Sequence, residues 1–206
     1  MSEKPRNLTA AILIIALAVI AAAIGVYLKG EGDGKVAAPQ PAVQGQVSRG
    51  LASGAVAAFV VKGERKPVPE ISFTSENGQA TSLAAWKGRV ILANLWATWC
   101  APCRKEMPSL AALQSEMGSK DFEVVAISVD RKGLAASGQY LKEVGASALK
   151  LYADPSAKAL GALQAVGLPA SILIDRQGRE IGRLLGPAEW NSPEAKALIK
   201  AAVEEK

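Results

Sequence analysis

The chain has 206 residues, half of them apolar, with 24 Lys and Arg against 19 Asp and Glu and a net charge of +5. That length holds one ordinary domain with additional segments, and the apolar share is enough for a core. Charges of both signs are interspersed without a basic stripe or an RNA-type aromatic motif, which argues against a nucleic-acid partner. With no His and only two Cys, a structural zinc site or a tight metal store lacks ligands.

Leu8 to Leu28 is apolar except for Thr9 and Tyr27, and a helix that spans a bilayer needs about 20 such residues. Ala21-Ala22-Ala23 near its end also suits a cleaved signal peptide. The apolar run exceeds a signal core, however, and no polar segment separates it from the alanines, which favours an uncleaved anchor. Lys4 and Arg6 before the run balance Lys29 and Lys35 after it, so flanking charge does not set its orientation. Residues 1–7 then form a tail, 8–28 a transmembrane anchor, and 29–45, rich in Gly, Ala, Pro and Gln, a flexible linker.

Gln46 to Val61 carries Val47, Leu51, Ala55, Ala58 and Phe59 at helical spacing, which predicts a short amphipathic helix ended near Gly63. Ile71 to Thr74 reads as a strand, Asn77-Gly78 as a turn, and a second strand runs into Thr81. Ser82 can cap a short turn that presents Leu83 and Trp86, after which Gly88 releases the chain.

Val90 to Trp96 is a nearly unbroken apolar run of strand length. From Cys103 onward, Met107, Leu110, Ala111, Leu113 and Met117 recur as on a helix with one buried face. The two cysteines, Cys100 and Cys103, form a Cys-x-x-Cys pair at the start of that helix. Unpaired N–H groups and the helix dipole favour an anion there, so the Cys100 thiolate should form at lower pH than that of a free cysteine. Cys103 lies one turn inside and more shielded, so Cys100 attacks and Cys103 resolves. Pro102 suits the first helical turn. Trp99 either offers a flat apolar platform to a docked peptide or packs in the core.

Phe122 to Val129 is a second apolar strand and completes a parallel βαβ unit. Asp130 to Gly145 reads as loop and helix, and Leu149 to Tyr152 as a short strand. Asp154-Pro155 then opens a helix to about Val166. Pro169 precedes the strand Ser171 to Ile174, Gln177-Gly178 turns the chain into Arg179 to Leu185, and Ser192-Pro193-Glu194 starts a last helix.

The stretch Leu95-Trp96-Ala97-Thr98-Trp99-Cys100-Ala101-Pro102-Cys103-Arg104-Lys105-Glu106-Met107-Pro108 resembles the TlpA-like group of the thioredoxin superfamily, membrane-tethered periplasmic thiol-disulfide proteins of bacteria. The likeness runs from about Gln46 to the end and includes Gly167-Leu168-Pro169-Ala170-Ser171, Asp175-Arg176-Gln177-Gly178 and Gly186-Pro187-Ala188-Glu189-Trp190. It implies an α/β thioredoxin-like fold for residues 46–206, a central mixed sheet flanked by helices, behind the N-terminal transmembrane helix. It also implies a single-pass protein of the inner membrane with its soluble domain in the periplasm, although a Cys-x-x-Cys suits a cytosolic redox protein equally.

The resemblance further implies a cis Leu168-Pro169 bond lying against the disulfide, with the Leu168 backbone free to pair with an extended substrate segment. A plain strand-entry proline is the alternative. Asn94 stands where ordinary thioredoxins carry a carboxylate that exchanges protons with the resolving thiol, and an amide cannot titrate. Glu106, on the helix face of Cys103, matches a glutamate of the TlpA-like group. Burial would raise its pKa and suit it to acid–base work, whereas a solvated side chain beside Arg104 and Lys105 is the bland alternative.

Such proteins reduce cysteine pairs in copper-site assembly factors, oxidase subunits or apocytochrome c, and a membrane thiol-disulfide electron donor recharges them. The Cys100–Cys103 disulfide is then the redox group, with no further cofactor and no metal. A copper chaperone of this fold would use Cys-x-x-x-Cys with a histidine, and a peroxidase would need Pro-x-x-x-Thr-x-x-Cys. A non-enzymatic membrane adaptor with a fixed structural disulfide stays open.

Overall fold

A computed structural model describes residues 47–205; the expected tail (1–7), transmembrane anchor (8–28) and linker (29–45) lie outside them. Among the described residues no helix is long and apolar enough to cross a membrane. The strands are β1 (Val60–Val61), β2 (Ser72–Ser75), β3 (Ala80–Ser82), β4 (Val90–Trp96), β5 (Phe122–Ser128), β6 (Leu151–Ala153), β7 (Ala170–Ile174) and β8 (Glu180–Leu185). They form one eight-stranded sheet in the order β1-β8-β7-β4-β5-β6-β2-β3. The helices are α1 (Ala101–Met117), α2 (Gly133–Glu143), α3 (Lys158–Ala162) and α4 (Pro193–Glu204).

The centre of the sheet follows from its most apolar segments. Every residue of β4 and of β5 is buried, as strands covered on both faces must be. They run parallel from Val90↔Phe122 to Trp96↔Ser128, because α1 carries the chain back between them. On the other side of β4, β7 runs antiparallel with Leu95 opposite Ala170 and Asn94 opposite Ser171. That register brings residues far apart in sequence to the end of the sheet where α1 begins.

Helix α1 contains Pro108, which has no N–H to return to the carbonyl four residues earlier. The freed carbonyl is that of Arg104, and the Tyr140 hydroxyl of α2 donates to it at 3.2 Å. The Arg104 guanidinium in turn lies 5.0 Å from the centre of the Tyr140 ring. Helix α4 starts as its sequence predicts, with the Ser192 hydroxyl accepting from Ala195 N–H at 3.1 Å and proline in the first turn. Lys196 of α4 pairs with Glu116 of α1 at 2.8 Å.

Three expectations need correction. Gln46 to Val61 is no helix over its described part: it makes two 3-10 turns, Arg49–Leu51 and Gly54–Val56, and then β1. Neither Ser48 nor Ser53 caps with its side chain, and Gly54 takes a left-handed φ of 52° that helix continuation forbids. Of the five spaced apolar residues Val47 and Phe59 are buried and Leu51 partly so, but Ala55 and Ala58 are exposed and Val56 is buried in their place.

Likewise the helix from Asp154 to Val166 shrinks to α3. Its N-cap is Ala157, not Asp154, although the Asp154 carboxyl still accepts from Ser156 N–H at 3.1 Å and from Ala159 N–H of the helix at 2.8 Å. Ala157 (φ 54°) and Gln164 (φ 53°) are left-handed, however, and bend the chain out of helix on both sides. Finally, Ser82 precedes its 3-10 turn (Leu83–Trp86) without a side-chain hydrogen bond. Smaller differences are shifts of strand ends, to Ser72–Ser75 from Ile71 to Thr74 and to Leu151–Ala153 from Leu149 to Tyr152.

Strand β1 seals one edge of the sheet against β8, with Val61 opposite Gly182. A Cβ at Gly182 would stand 2.5 Å from Phe59 Cε1 and 2.5 Å from the Val60 carbonyl oxygen. Gly182→Ala is therefore expected to destabilise the fold by about 1–3 kcal/mol, read as a lower urea midpoint at unchanged slope. A midpoint equal to that of the parent would mean that the Phe59–Val60 segment does not pack on β8 in solution.

Candidate active site

Cys100 is the N-cap residue of α1, and its sulfur accepts from the Cys103 N–H at 3.3 Å. The cap is a consequence of sequence: β4 ends at Trp96, three residues turn the chain, and Pro102 fits the first helical turn, where no N–H partner is needed. Cys100 and Cys103 are joined as a disulfide. Cys103 is inaccessible, whereas Cys100 retains 6% exposure, so an approaching thiol meets Cys100 first.

Around the disulfide, Trp99 is 69% exposed, which removes the core-packing alternative and leaves its ring face open. Pro102 is exposed at the helix start, Leu168 is partly buried, and Pro169 is buried. The Leu168-Pro169 bond is cis. The Pro169 carbonyl accepts from Gly186 N–H at 2.9 Å, while the Leu168 backbone makes no hydrogen bond to another described residue. Because Leu95 faces Ala170 across β4 and β7, Pro169 lies at the sheet end from which the chain enters α1.

Glu106 is one turn beyond Cys103 and only 2% exposed. One carboxyl oxygen, Oε1, accepts from the Asn94 side-chain amide at 2.8 Å, and Oε2 accepts from Ala188 N–H at 3.2 Å. The Asn94 amide also donates to the Ser171 hydroxyl at 2.9 Å. Burial raises the Glu106 carboxyl to about 7, against the opposing pull of Asn94, Ala188 N–H and the neighbouring Trp190 indole. The indole N–H acts there without a hydrogen bond of ordinary geometry. The solvated alternative for Glu106 is thereby overturned.

This arrangement can serve Glu106 both without and with its proton. An ionised Glu106 presents two acceptors, which the Asn94 amide and Ala188 N–H satisfy. A protonated Glu106 needs an acceptor of its own, and the buried Oδ1 of Asn94 has no partner. A half-turn of the amide would offer that oxygen to both Glu106 and Ser171.

The sequence reading named Cys100, Cys103, Glu106, Trp99, Pro102, Leu168 and Pro169, and all of them lie in α1, just before it, or at the entry to β7. It did not single out Ser171, Ala188 and Trp190 as neighbours of Glu106. It also passed over Ser109, whose hydroxyl donates to the Glu106 carbonyl at 2.9 Å and accepts from Trp190 N–H at 3.1 Å. Nor did it find Asp130, buried after β5, which accepts from the Thr98 hydroxyl and, at 2.9 Å, from Lys132 N–H. Burial would raise the Asp130 carboxyl, but these donors and the Lys132 charge outweigh it and hold it below its usual range. An acid directly after a buried strand was the available signal.

A family model described as Redoxin matches residues 63–199. The chain is similar to the thiol-disulfide oxidoreductase ResA of Bacillus cereus, 30% identical over 121 residues that cover 59% of this chain and 69% of ResA. It is also similar to the thiol:disulfide interchange protein HelX of Rhodobacter capsulatus, 34% identical over 100 residues, 48% of this chain and 54% of HelX.

Among solved structures, one described as a thiol:disulfide interchange protein DsbE from Chlorobium tepidum superposes with a TM-score of 0.61 at 26% identity, covering 70% of this chain and 99% of that one. A DsbF homologue from Corynebacterium diphtheriae gives 0.57 at 28% identity, covering 70% and 90%. With this match, and with the disulfide at the start of a helix that follows a central strand, the chain belongs to the Redoxin family and is a thiol-disulfide oxidoreductase of thioredoxin-like fold.

Proposed function

We propose that the protein is a TlpA-like reductant, held at the bacterial inner membrane by residues 8–28, whose domain works in the periplasm on cysteine pairs of partner proteins. The partners are copper-site assembly factors, oxidase subunits or apocytochrome c, and the disulfide is its only redox group. Support for the tether is the apolar run Leu8 to Leu28, and support for the partner class is the resemblance of the Cys-x-x-Cys stretch.

In the reaction, the Cys100 thiolate attacks one sulfur of the partner's disulfide. The partner's bond breaks, a Cys100–partner disulfide forms, and the released partner sulfur takes up a proton. Cys103, deprotonated, then attacks the Cys100 sulfur and displaces the second partner thiol. Two electrons have passed to the partner, and a membrane dithiol donor restores Cys100 and Cys103. Trp99, Pro102, Leu168 and Pro169 hold the partner's segment, with the free Leu168 backbone pairing along it.

The observation that carries this reading is the buried Glu106 carboxyl one turn from Cys103, held between donors so that it titrates near neutrality. Such a group takes the Cys103 proton in the resolving step, a task the Asn94 amide cannot perform. It distinguishes an exchange enzyme from an adaptor with a static disulfide, in which a buried carboxyl beside the bond would only cost stability.

The deciding experiment is the equilibrium reduction potential of the full chain. A value near about −270 mV, the thioredoxin range, is expected, and one near about −120 mV, that of a disulfide-inserting oxidant, would overturn the reductant assignment. Glu106→Gln is expected to slow resolution of the mixed disulfide by about 100-fold. It should also abolish a rise in the parent's resolving rate with pH through about 7. Stopped-flow rates unchanged across pH would remove Glu106 from the mechanism.

Linkage gives an independent reading on the disulfide form. The folded Glu106 holds its proton up to about 7 against 4.5 ordinarily, so the folded state binds more protons in that window. Stability is full below the lower value and falls as pH rises through the upper one, by about 3 kcal/mol at most. Glu106→Gln should flatten that fall in urea titrations at pH 5 and pH 8.

A further inference from the structure

The outer side of the α1 start carries a charge pattern that the exchange chemistry does not use. Thr98, beside the exposed Trp99, donates to Asp130, which places Arg131 and Lys132 next to the Trp99 turn. Arg104 and Lys105 project from the first turns of α1, and Arg104 is held on Tyr140 of α2. All four cations are exposed.

None of the four enters a salt bridge among the described residues. Several cations elsewhere are matched, among them Lys196 with Glu116, Lys62 with Glu180, Arg176 with Asp121 and Arg89 with Glu123, whereas the exposed Arg49, Lys87, Lys142 and Lys158 also enter no salt bridge among the described residues.

Nearby acids leave most of this charge unmatched, with only Lys132 acting on the Asp130 carboxylate. Asp130 is 3% exposed and turned towards Thr98 and the Lys132 N–H, and Asp154 is buried and accepts from Ala159 N–H of α3. Helix α2 carries no acid before Glu143. Glu106 lies two residues from Arg104 and so on nearly the opposite side of the helix. It faces Ala188, so the exposed Glu189 next to Ala188 lies away from Arg104, while Lys105, one turn before Ser109, is on the flank nearer to it.

We propose that this basic face beside Trp99 docks an acidic segment of the partner protein, flanking the cysteine that reacts with Cys100. The inference deepens the reductant reading and rests on it for the identity of the segment. Trp99 supplies apolar contact area, and the four cations supply long-range attraction that raises the encounter rate and selects the sign of the partner's charge. Charge complementarity at the rim governs association and its salt dependence more than the lifetime of the complex.

The test separates docking from chemistry. Full-length protein in its disulfide form, in neutral detergent, is titrated with three dye-labelled peptides. They share one sequence with serine in place of cysteine and carry flanks of Asp, Gln or Lys. The expected result is binding at least about tenfold tighter for the Asp peptide than for the Lys peptide at low ionic strength. The preference should fade as salt shortens the screening length to about 3 Å at 1 M, and collapse in the Arg131→Ala/Lys132→Ala double variant.

Equal binding of the three peptides, or a preference that survives the double variant, overturns the proposal. Stronger, double-variant-sensitive binding of short-chain phosphatidylglycerol than of the Asp peptide would assign the face to lipid and overturn it too. Failure of the reductant reading would appear in the reduction potential and leave these binding constants as they are.

Discussion

A carboxyl group buried beside the redox pair is the constraint on which the rest of the site depends. Glu106 at 2% exposure loses most of its hydration, and an unaided carboxylate there would cost several kcal/mol. The fold supplies donors from two directions: the Asn94 amide from β4, and Ala188 N–H from the segment after β8. These favour the ionised form while burial opposes it, and the balance falls at about 7. Either donor alone would leave the group further from neutrality, so this balance needs both β4 and the 186–190 segment in place.

Helix α1 is the frame that ties this acid to the sulfurs. Cys100, Cys103 and Glu106 follow one another at three-residue spacing, so a single rigid element sets their order from cap to interior. Two prolines shape it. Pro102 occupies a first turn that wants no N–H, whereas Pro108 strips Arg104 of its carbonyl partner, and the Tyr140 hydroxyl replaces it. The replacement also anchors α2 against the start of α1. A helix that the sequence interrupts locally is thus completed by a contact 36 residues further along the chain.

What could be read from the sequence was local. Val90 to Trp96 as strand, Cys100 as the helix cap and the Ser192-Pro193-Glu194 start all depend on neighbours within a turn, and each stands as read. The segment 46–61 misled because the helical spacing did not hold: Ala55 and Ala58 are exposed, Val56 is buried instead, and left-handed Gly54 opens a 3-10 turn. Asp154 does accept from an N–H of the helix, yet the cap position is Ala157, and Ala157 and Gln164 in left-handed conformations bound the helix, which neither residue type announces. Ser171 and Ala188 escaped notice because their importance arises only when β7 and the chain after β8 come alongside β4 and α1. Asn94 looked like a loss of the usual carboxylate. In the fold its amide is what holds the replacement acid.

The division of charge across α1 follows from the same constraint. A guanidinium or ammonium within a few ångströms of Glu106 would favour the carboxylate and pull its pKa well below neutrality, leaving too weak a base for the proposed removal of the Cys103 proton. Arg104 and Lys105 precede the acid in the first turns of α1, yet the two-residue offset of Arg104 carries that side chain to nearly the opposite side and onto the Tyr140 ring. Tyr140 therefore does more than satisfy a carbonyl: it holds a cation outside the pocket while leaving it accessible to solvent and partners. On the proposed reading, proton transfer is confined to the inner face and charge recognition to the outer one, with Cys100 at the helix tip where the two meet.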